Sequence, residues 1–118
     1  MQQDGSADGA PTADSVTAFE MRLRLLRQAP NWTQLPFNRR LRRIRKARGW
    51  SHQQLAGRMI LVAKSHGGTA SSESLVTSLS RWENDSRTAD ERNRHLLADA
   101  LGVGVADLGL SEDPDFVW

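Results

Sequence analysis

Residues 74–84 decide the fold of this protein, and they read SLVTSLSRWEN. Leu75, Leu79 and Trp82 recur at the i, i+4, i+7 spacing, which places them on one apolar face of an α-helix. The opposite face carries short, hydrogen-bonding or cationic side chains: Val76, Thr77, Ser78 and Arg81. Such a face suits the major groove of DNA, where Arg can bind guanine and Ser or Thr can bond either strand. A merely solvated helix face has the same pattern, so the surrounding sequence must decide.

The composition limits the possible classes of protein. A chain of 118 residues is long enough for one domain with tails, and the absence of Cys excludes disulfides, thiolate catalysis and Cys-ligated zinc. The first residues lack the basic and apolar segments of a secretory signal, and no apolar run reaches the ~18 residues of a membrane span. We therefore expect a cytoplasmic protein.

Charge is distributed unevenly along the chain. Residues 37–110 contain 13 Arg and Lys against 7 Asp and Glu, whereas residues 1–18 and 111–118 each contain three carboxylates and no cation. A basic middle between acidic ends is typical of a polyanion-binding domain with solvating tails. A helical domain with an Arg-rich surface and no polyanion partner is the alternative.

The N-terminal region is predicted to be a disordered tail, residues 1–16, followed by an amphipathic segment, residues 17–30. Thr17 and Glu20 have the spacing of a capping box. Apolar positions then follow at helical spacing: Phe19, Leu23 and Leu26. A lone amphipathic helix is not stable in water, so this one must pack on the domain or on a second subunit. The sequence leaves both possibilities open.

Four further helices are predicted between residues 37 and 102. The first spans residues 37–48 and ends at Gly49. The second is capped by Ser51 with Gln54 in a capping box and ends near residue 64 or 65. The third is the quoted stretch, from residue 72 or 74 to 83. The fourth begins at a capping box of residues 88–91 and ends at Gly102, with a short turn at 105–108. Without any alternating strand pattern, the domain is all-α.

Three blocks of sequence resemble the Xre/Cro-type helix-turn-helix regulators. Residues 42–56, RRIRKARGWSHQQLA, resemble the first two helices of that family; residues 79–84 resemble the end of its recognition helix; residues 96–108 resemble its closing helices. The resemblance covers residues 37–110 and leaves 111–118 as a C-terminal tail. It implies an all-α, five-helix Xre/Cro (lambda-repressor-like) helix-turn-helix domain with an extra N-terminal helix.

The resemblance also implies which residues bind DNA. In this family the second helix crosses the phosphate backbone and the third lies in the major groove. Carried over by position, the DNA-binding residues are His52, Gln53, Ser74, Val76, Thr77, Ser78, Arg81, Asn84 and Arg87. Arg45 matches an arginine that pairs with the glutamate at position 83. We interpret Arg45–Glu83 as a structural ion pair, with direct DNA contact by Arg45 as the alternative.

The sequence departs from the family at three places. The connection between the second and third helices, through residues 62–74, is about a dozen residues longer than usual. Asp85 replaces the glycine that follows the recognition helix, and Thr88 replaces a proline before the fourth helix. Long insertions of this kind resemble a set of actinobacterial regulators.

The expected function is that of a sequence-specific, double-stranded DNA-binding transcriptional regulator, nucleoid-associated and homodimeric on a two-fold operator. The N-terminal helix and the tail through Trp118 are the candidate dimer contacts. The alternative is a protein-interaction module on the same scaffold, antitoxin-like or regulator-binding, with DNA binding secondary or lost. The three histidines are too scattered for a metal motif, the acidic pairs look like a helix start and a tail, and no glycine-rich phosphate loop occurs. We therefore expect no enzyme, cofactor or metal.

Overall fold

Five α-helices follow one another in the computed structural model, which describes residues 13–68, 70–85 and 87–118. They are α1 (Ala13–Gln28), α2 (Phe37–Arg48), α3 (His52–Ser65), α4 (Ser72–Asn84) and α5 (Glu91–Leu101). Two 3-10 turns, Trp32–Gln34 and Val105–Leu108, complete the regular structure. No strand occurs in these ranges, so the all-α prediction is confirmed. Within them, every helix is too short or too polar to cross a lipid bilayer.

The predicted boundary between α2 and α3 is confirmed. Gly49 ends α2 with φ 75°, a left-handed conformation that glycine adopts without a Cβ clash. Ser51 then caps α3, because its Oγ accepts from the backbone N–H of Gln54 at 3.2 Å. The Gln54 side chain accepts in return from the backbone N–H of Ser51 at 2.8 Å. This reciprocal capping box satisfies two of the amides that a helix start leaves without partners.

Two predicted helix starts are wrong. α1 begins at Ala13, so Thr17 lies inside the helix, where its amide can bond within the helix and requires no capping box. The predicted tail is therefore helical over residues 13–16, and its residues 1–12 lie outside the described part of the chain. α5 is capped by Asp90, which accepts from the Asn93 amide at 2.9 Å, and not by Thr88. Asp is a stronger N-cap than Thr.

The core lies where α3 packs against α4 and α5 and where α2 packs against α4. Its largest fully buried side chains are Leu41, Ile44, Leu55, Met59, Leu79, Leu96, Leu97, Leu101 and Leu108. The apolar stripe predicted for α4 is buried throughout, with Leu75, Leu79 and Trp82 all turned inward. Burial of this kind contributes most of the stability of a helix this short.

α1 packs on the rest of the chain through one of its faces. Phe19 and Leu23 are buried, and the Arg48 guanidinium lies 3.5 Å from the centre of the Phe19 ring. At the end of the helix, Arg27 forms two hydrogen bonds with the Asp107 carboxylate, at 2.9 and 2.7 Å. The helix therefore docks within its own chain, one of the two possibilities that the sequence left open.

The C-terminal tail folds back across α5 to the connection between α3 and α4. The Trp118 ring stacks on His66 and the Phe116 ring on His95, each with a centroid distance of 3.9 Å. Arg94 donates to the carbonyl of Ser111 at 2.9 Å, which holds the beginning of the tail. The tail thus packs beside the loop that leads into α4.

Candidate nucleic-acid interface

α4 is positioned by its cap and by its buried face. The Ser71 Oγ accepts from the backbone N–H of Ser74 at 3.1 Å, which starts the helix at Ser72. Because Leu75, Leu79 and Trp82 face inward, the side chains on the far side of the helix must face solvent.

Four of the predicted site residues form one exposed stripe along α4. They occupy positions i, i+3, i+7 and i+10: Ser74, Thr77, Arg81 and Asn84, all solvent-exposed. Positions three or four apart lie above one another on a helix, so the stripe is continuous. Val76 and Ser78, which were predicted as equal members of this face, are half-buried and flank it. The stripe offers hydroxyl, amide and guanidinium groups.

A cleft beside the start of α4 brings Gln53 of α3 together with Val76 and Thr77. Glu73 also lines this cleft, and sequence reasoning missed it. Its position four residues before Thr77 was the available signal, because that spacing places both side chains on one helix face. A carboxylate here can accept a hydrogen bond from the amino group of cytosine and would repel phosphate.

A second cleft, at the other end of α4, contains Asn84 and Arg87 together with the start of α2. Asn84 is the last residue of α4. Its side-chain oxygen accepts from Arg42 at 2.9 Å, and its amide donates to the carbonyl of Ser80 at 2.8 Å. Arg87 is exposed. At this end, Arg87 is therefore the side chain more accessible to a ligand.

The predicted ion pair between Arg45 and Glu83 is present between α2 and α4. Arg45 donates from Nε to one carboxylate oxygen at 2.6 Å and from Nη2 to the other at 2.9 Å. A third donor, Nη1 of Arg45, reaches the carbonyl of Trp50 at 2.7 Å, and Arg42 lies 3.4 Å from the same carboxylate. The Arg45 side chain is 12% exposed, which favours the structural interpretation over DNA contact.

His52, predicted to bind DNA, turns one edge of its ring toward Glu83. Its Nε2 is buried and lies 3.2 Å from Glu83 Oε1, in a geometry that does not align as a hydrogen bond. That nitrogen faces the interior and is not available to a phosphate, which leaves only the exposed part of the ring, in a side chain that is 27% exposed, for the predicted contact. Gln53, the next residue, is exposed and is the better candidate in the first turn of α3.

The surroundings of Glu83 keep its carboxylate charged. Burial alone raises the pKa of Glu83, but the hydrogen bond from Arg45 and the contact with His52 lower it by more. The pKa therefore lies below the ordinary value of 4.5. The same hydrogen bond raises the pKa of Arg45. The result is a charged cluster that fixes α4 against α2 directly behind the exposed stripe.

The connections at the two ends of α4 have ordinary backbone conformations at their described residues. Asp85 has φ −109° and ψ 173°, an extended conformation, so this residue is not left-handed. The connection between α3 and α4 spans residues 66–71, with Gly67 at φ 77° where it leaves α3.

A search of protein-family models, of curated proteins and of solved structures found no match to this chain. Among the described residues, no group of three or more His, Asp or Glu side chains could hold a metal ion.

Proposed function

We propose that this protein is a sequence-specific, double-stranded DNA-binding transcriptional regulator of the Xre/Cro helix-turn-helix type, with α4 in the major groove. The observation that carries the proposal is the exposed stripe of Ser74, Thr77, Arg81 and Asn84 on a helix whose opposite face is buried. A helix with small polar side chains on its outer face can approach base edges closely. Arg81 would supply the strongest base contact, because a guanidinium can bind guanine through two hydrogen bonds.

The proposed phosphate contacts lie at the two ends of the stripe. Gln53 adjoins the start of α4 and Arg87 follows its end, so the two could bind the backbone on either side of the groove. Arg42 is exposed for 45% of its side chain but already contacts Glu83 and Asn84, so it is a weaker candidate. Glu73 would favour cytosine through a hydrogen bond to its amino group, and its negative charge would not contribute to phosphate binding.

Useful specificity from one recognition helix requires a homodimer on a two-fold operator, because one helix reads only a few base pairs. Of the two predicted dimer contacts, α1 already buries Phe19 and Leu23 within its own chain. The C-terminal tail remains a candidate, since Val117 is 84% exposed. Selected operators with two-fold symmetry would support the dimer and would give its half-site spacing.

The first test is selection from a randomised duplex pool at two salt concentrations. Enrichment of a short motif that persists at the higher concentration supports specific recognition, because non-specific affinity falls steeply with salt. Weak binding that disappears with salt and enriches nothing would contradict the proposal.

Replacement of Arg81 by Ala tests the assignment of the stripe. On the selected duplex we expect a loss of about 1–3 kcal/mol together with relaxed preference at one base position. Arg24→Ala is the matched control, because Arg24 is an exposed arginine on α1, away from the stripe. An equal loss on every duplex would make Arg81 a phosphate contact, and no loss would remove the stripe from the interface.

A further inference from the structure

A shallow apolar groove runs between α1 and α2. Its floor is formed by Leu25 and Leu26 of α1, by Ala29 directly after that helix, and by Ala47 of α2. Leu25 is 62% exposed, and Met21, one turn earlier on α1, is 58% exposed. α1 therefore has two apolar faces, one packed on its own chain through Phe19 and Leu23 and the other open to solvent. Met21 and Leu25 are four positions apart, so their exposed side chains are neighbours on this open face.

The rim of the groove is cationic. Arg22 lies on the α1 side, and Arg43 and Lys46 lie on the α2 side. Arg22 donates to the carbonyl of Ala47 at 3.1 Å, a contact that ties the two helices together, and it forms no ion pair with a carboxylate among the described side chains. None of the groove-lining side chains is acidic. The groove thus combines an apolar floor with three positive charges.

The apolar floor and the cationic rim together favour one kind of binding partner over the others. A second copy that presented the same groove would place cations against cations, which is unfavourable. A DNA backbone would satisfy the rim but would leave Leu25 and its neighbours uncovered. We propose that the groove binds a segment of a partner protein, an amphipathic helix with large apolar side chains for the floor and Asp or Glu for the rim. A helix in an apolar groove is a common mode of peptide recognition.

The groove lies on a different flank of α2 from the proposed DNA interface. Residues of a helix are about 100° apart, so Arg43 projects nearly opposite to Arg45, whereas Lys46 lies one turn after Arg42, at the edge of the groove nearer to α4. Arg45 and Arg42 face Glu83 and Asn84 at the end of α4. Occupation of the groove would therefore leave the exposed stripe of α4 open, and it would not depend on DNA binding.

The closing experiment uses a displayed library of random peptides about 16 residues long, roughly the length of a helix that would span such a groove. The library is selected on the full chain and counter-selected on the Leu25→Glu variant. We expect enrichment of peptides with Leu, Ile or Phe at helical spacing and with several Asp or Glu residues. One enriched peptide is then synthesised, and its affinity is measured by fluorescence anisotropy.

Matched variants separate the apolar and the charged contributions. Leu25→Glu should weaken binding of the peptide by more than about tenfold, as at an interface hot spot. Leu61→Glu is its control, because Leu61 is 60% exposed on α3, outside the groove. Lys46→Glu should weaken binding several-fold, whereas Lys64→Glu, an exposed lysine of α3, should not. The affinity should also fall with added salt.

Several outcomes would overturn the proposal. Failure to enrich any Leu25-dependent peptide would do so, as would equal enrichment of basic or uncharged sequences. If Leu25→Glu instead converts a dimer of the free protein into a monomer, the occupant is a second copy. If no peptide is enriched but the protein binds anionic phospholipid vesicles in a Leu25-dependent way, the occupant is a membrane surface.

Discussion

The Arg45–Glu83 and Arg27–Asp107 pairs have nearly the same geometry but different surroundings. In each pair the guanidinium forms two hydrogen bonds with both carboxylate oxygens, at 2.6 and 2.9 Å in the first and at 2.9 and 2.7 Å in the second. The Glu83 side chain is 1% exposed and that of Asp107 is 18% exposed. Arg45 is 12% exposed, whereas Arg27 is 47% exposed.

The same arginine–carboxylate contact therefore differs in how much stability is lost when it is broken. A buried carboxylate that loses its partner is left as an uncompensated charge in a poorly solvated site, which is strongly unfavourable. An exposed pair exchanges its partner for water at little cost. We infer that Arg45–Glu83 fixes the orientation of α4 and that Arg27–Asp107 only steadies the end of α1.

The largest predicted effect is that of Arg45→Met. It leaves Glu83 buried with only Arg42 and His52 nearby, so we expect the free energy of unfolding to fall by about 3 kcal/mol. Urea denaturation at neutral pH measures the change. The double replacement Arg45→Met with Glu83→Leu should recover most of the loss, because it removes the buried charge as well. A loss below about 1 kcal/mol for Arg45→Met alone would mean that Arg42 and His52 compensate Glu83 adequately.

A smaller effect is expected from acid. The pKa of Glu83 is lower in the folded chain than its ordinary value of 4.5, so its stabilisation is complete above that pH and is lost as the pH falls through the folded-state pKa. The pKa of Asp107 is likewise lower in the folded chain than its ordinary value of 3.8, because Arg27 forms hydrogen bonds with its carboxylate. Its contribution to stability is therefore also lost as the pH falls. The free energy of unfolding should fall less in acid than it does in Arg45→Met at neutral pH, since a protonated Glu83 is no longer a buried charge.

Urea midpoints measured from neutral pH to pH 3 would test the acid effect. The Glu83→Gln variant should show a shallower decline with falling pH than the unmodified protein, whereas Asp107→Asn should follow the unmodified protein more closely. A decline that is unchanged in Glu83→Gln would assign the acid sensitivity to other carboxylates.

The smallest predicted effect is that of Arg27→Met, the matched substitution in the exposed pair. We expect a loss of about 0.5 kcal/mol, because exposed ion pairs contribute little and are screened by salt. Hydrogen exchange should show faster exchange confined to the end of α1, because Phe19 and Leu23 still anchor the rest of the helix. A global loss as large as that of Arg45→Met would remove the distinction between the two pairs.

Much of the fold could be predicted from local sequence. The capping box at Ser51, the stop at Gly49 and the buried stripe of α4 each depend on residues within one or two helical turns. The start of α5 was misplaced because Thr88 and Asp90 both precede the helix and either can cap it. In the structure Asp90 is the cap, and its side chain accepts from the Asn93 amide.

The candidate site was predicted less completely. Ser74, Thr77, Arg81 and Asn84 are on the expected helix and are exposed. His52 was assigned to phosphate, but its Nε2 faces Glu83, thirty-one positions further along the chain. Glu73 was overlooked, although its spacing to Thr77 could have revealed it. DNA binding, the homodimer and the membership of a helix-turn-helix family remain predictions for the experiments above.

The sequence alone therefore determined the helical class, several helix ends and the polar stripe of α4, because these follow from hydrogen bonds and periodicity among near neighbours. The tertiary structure decided which charges are buried and which are open. Arg27 and Asp107 lie 80 positions apart, and the groove between α1 and α2 exists only because Phe19 and Leu23 turn one face of α1 inward. Contacts over such separations depend on how the helices pack together, which local pattern does not encode.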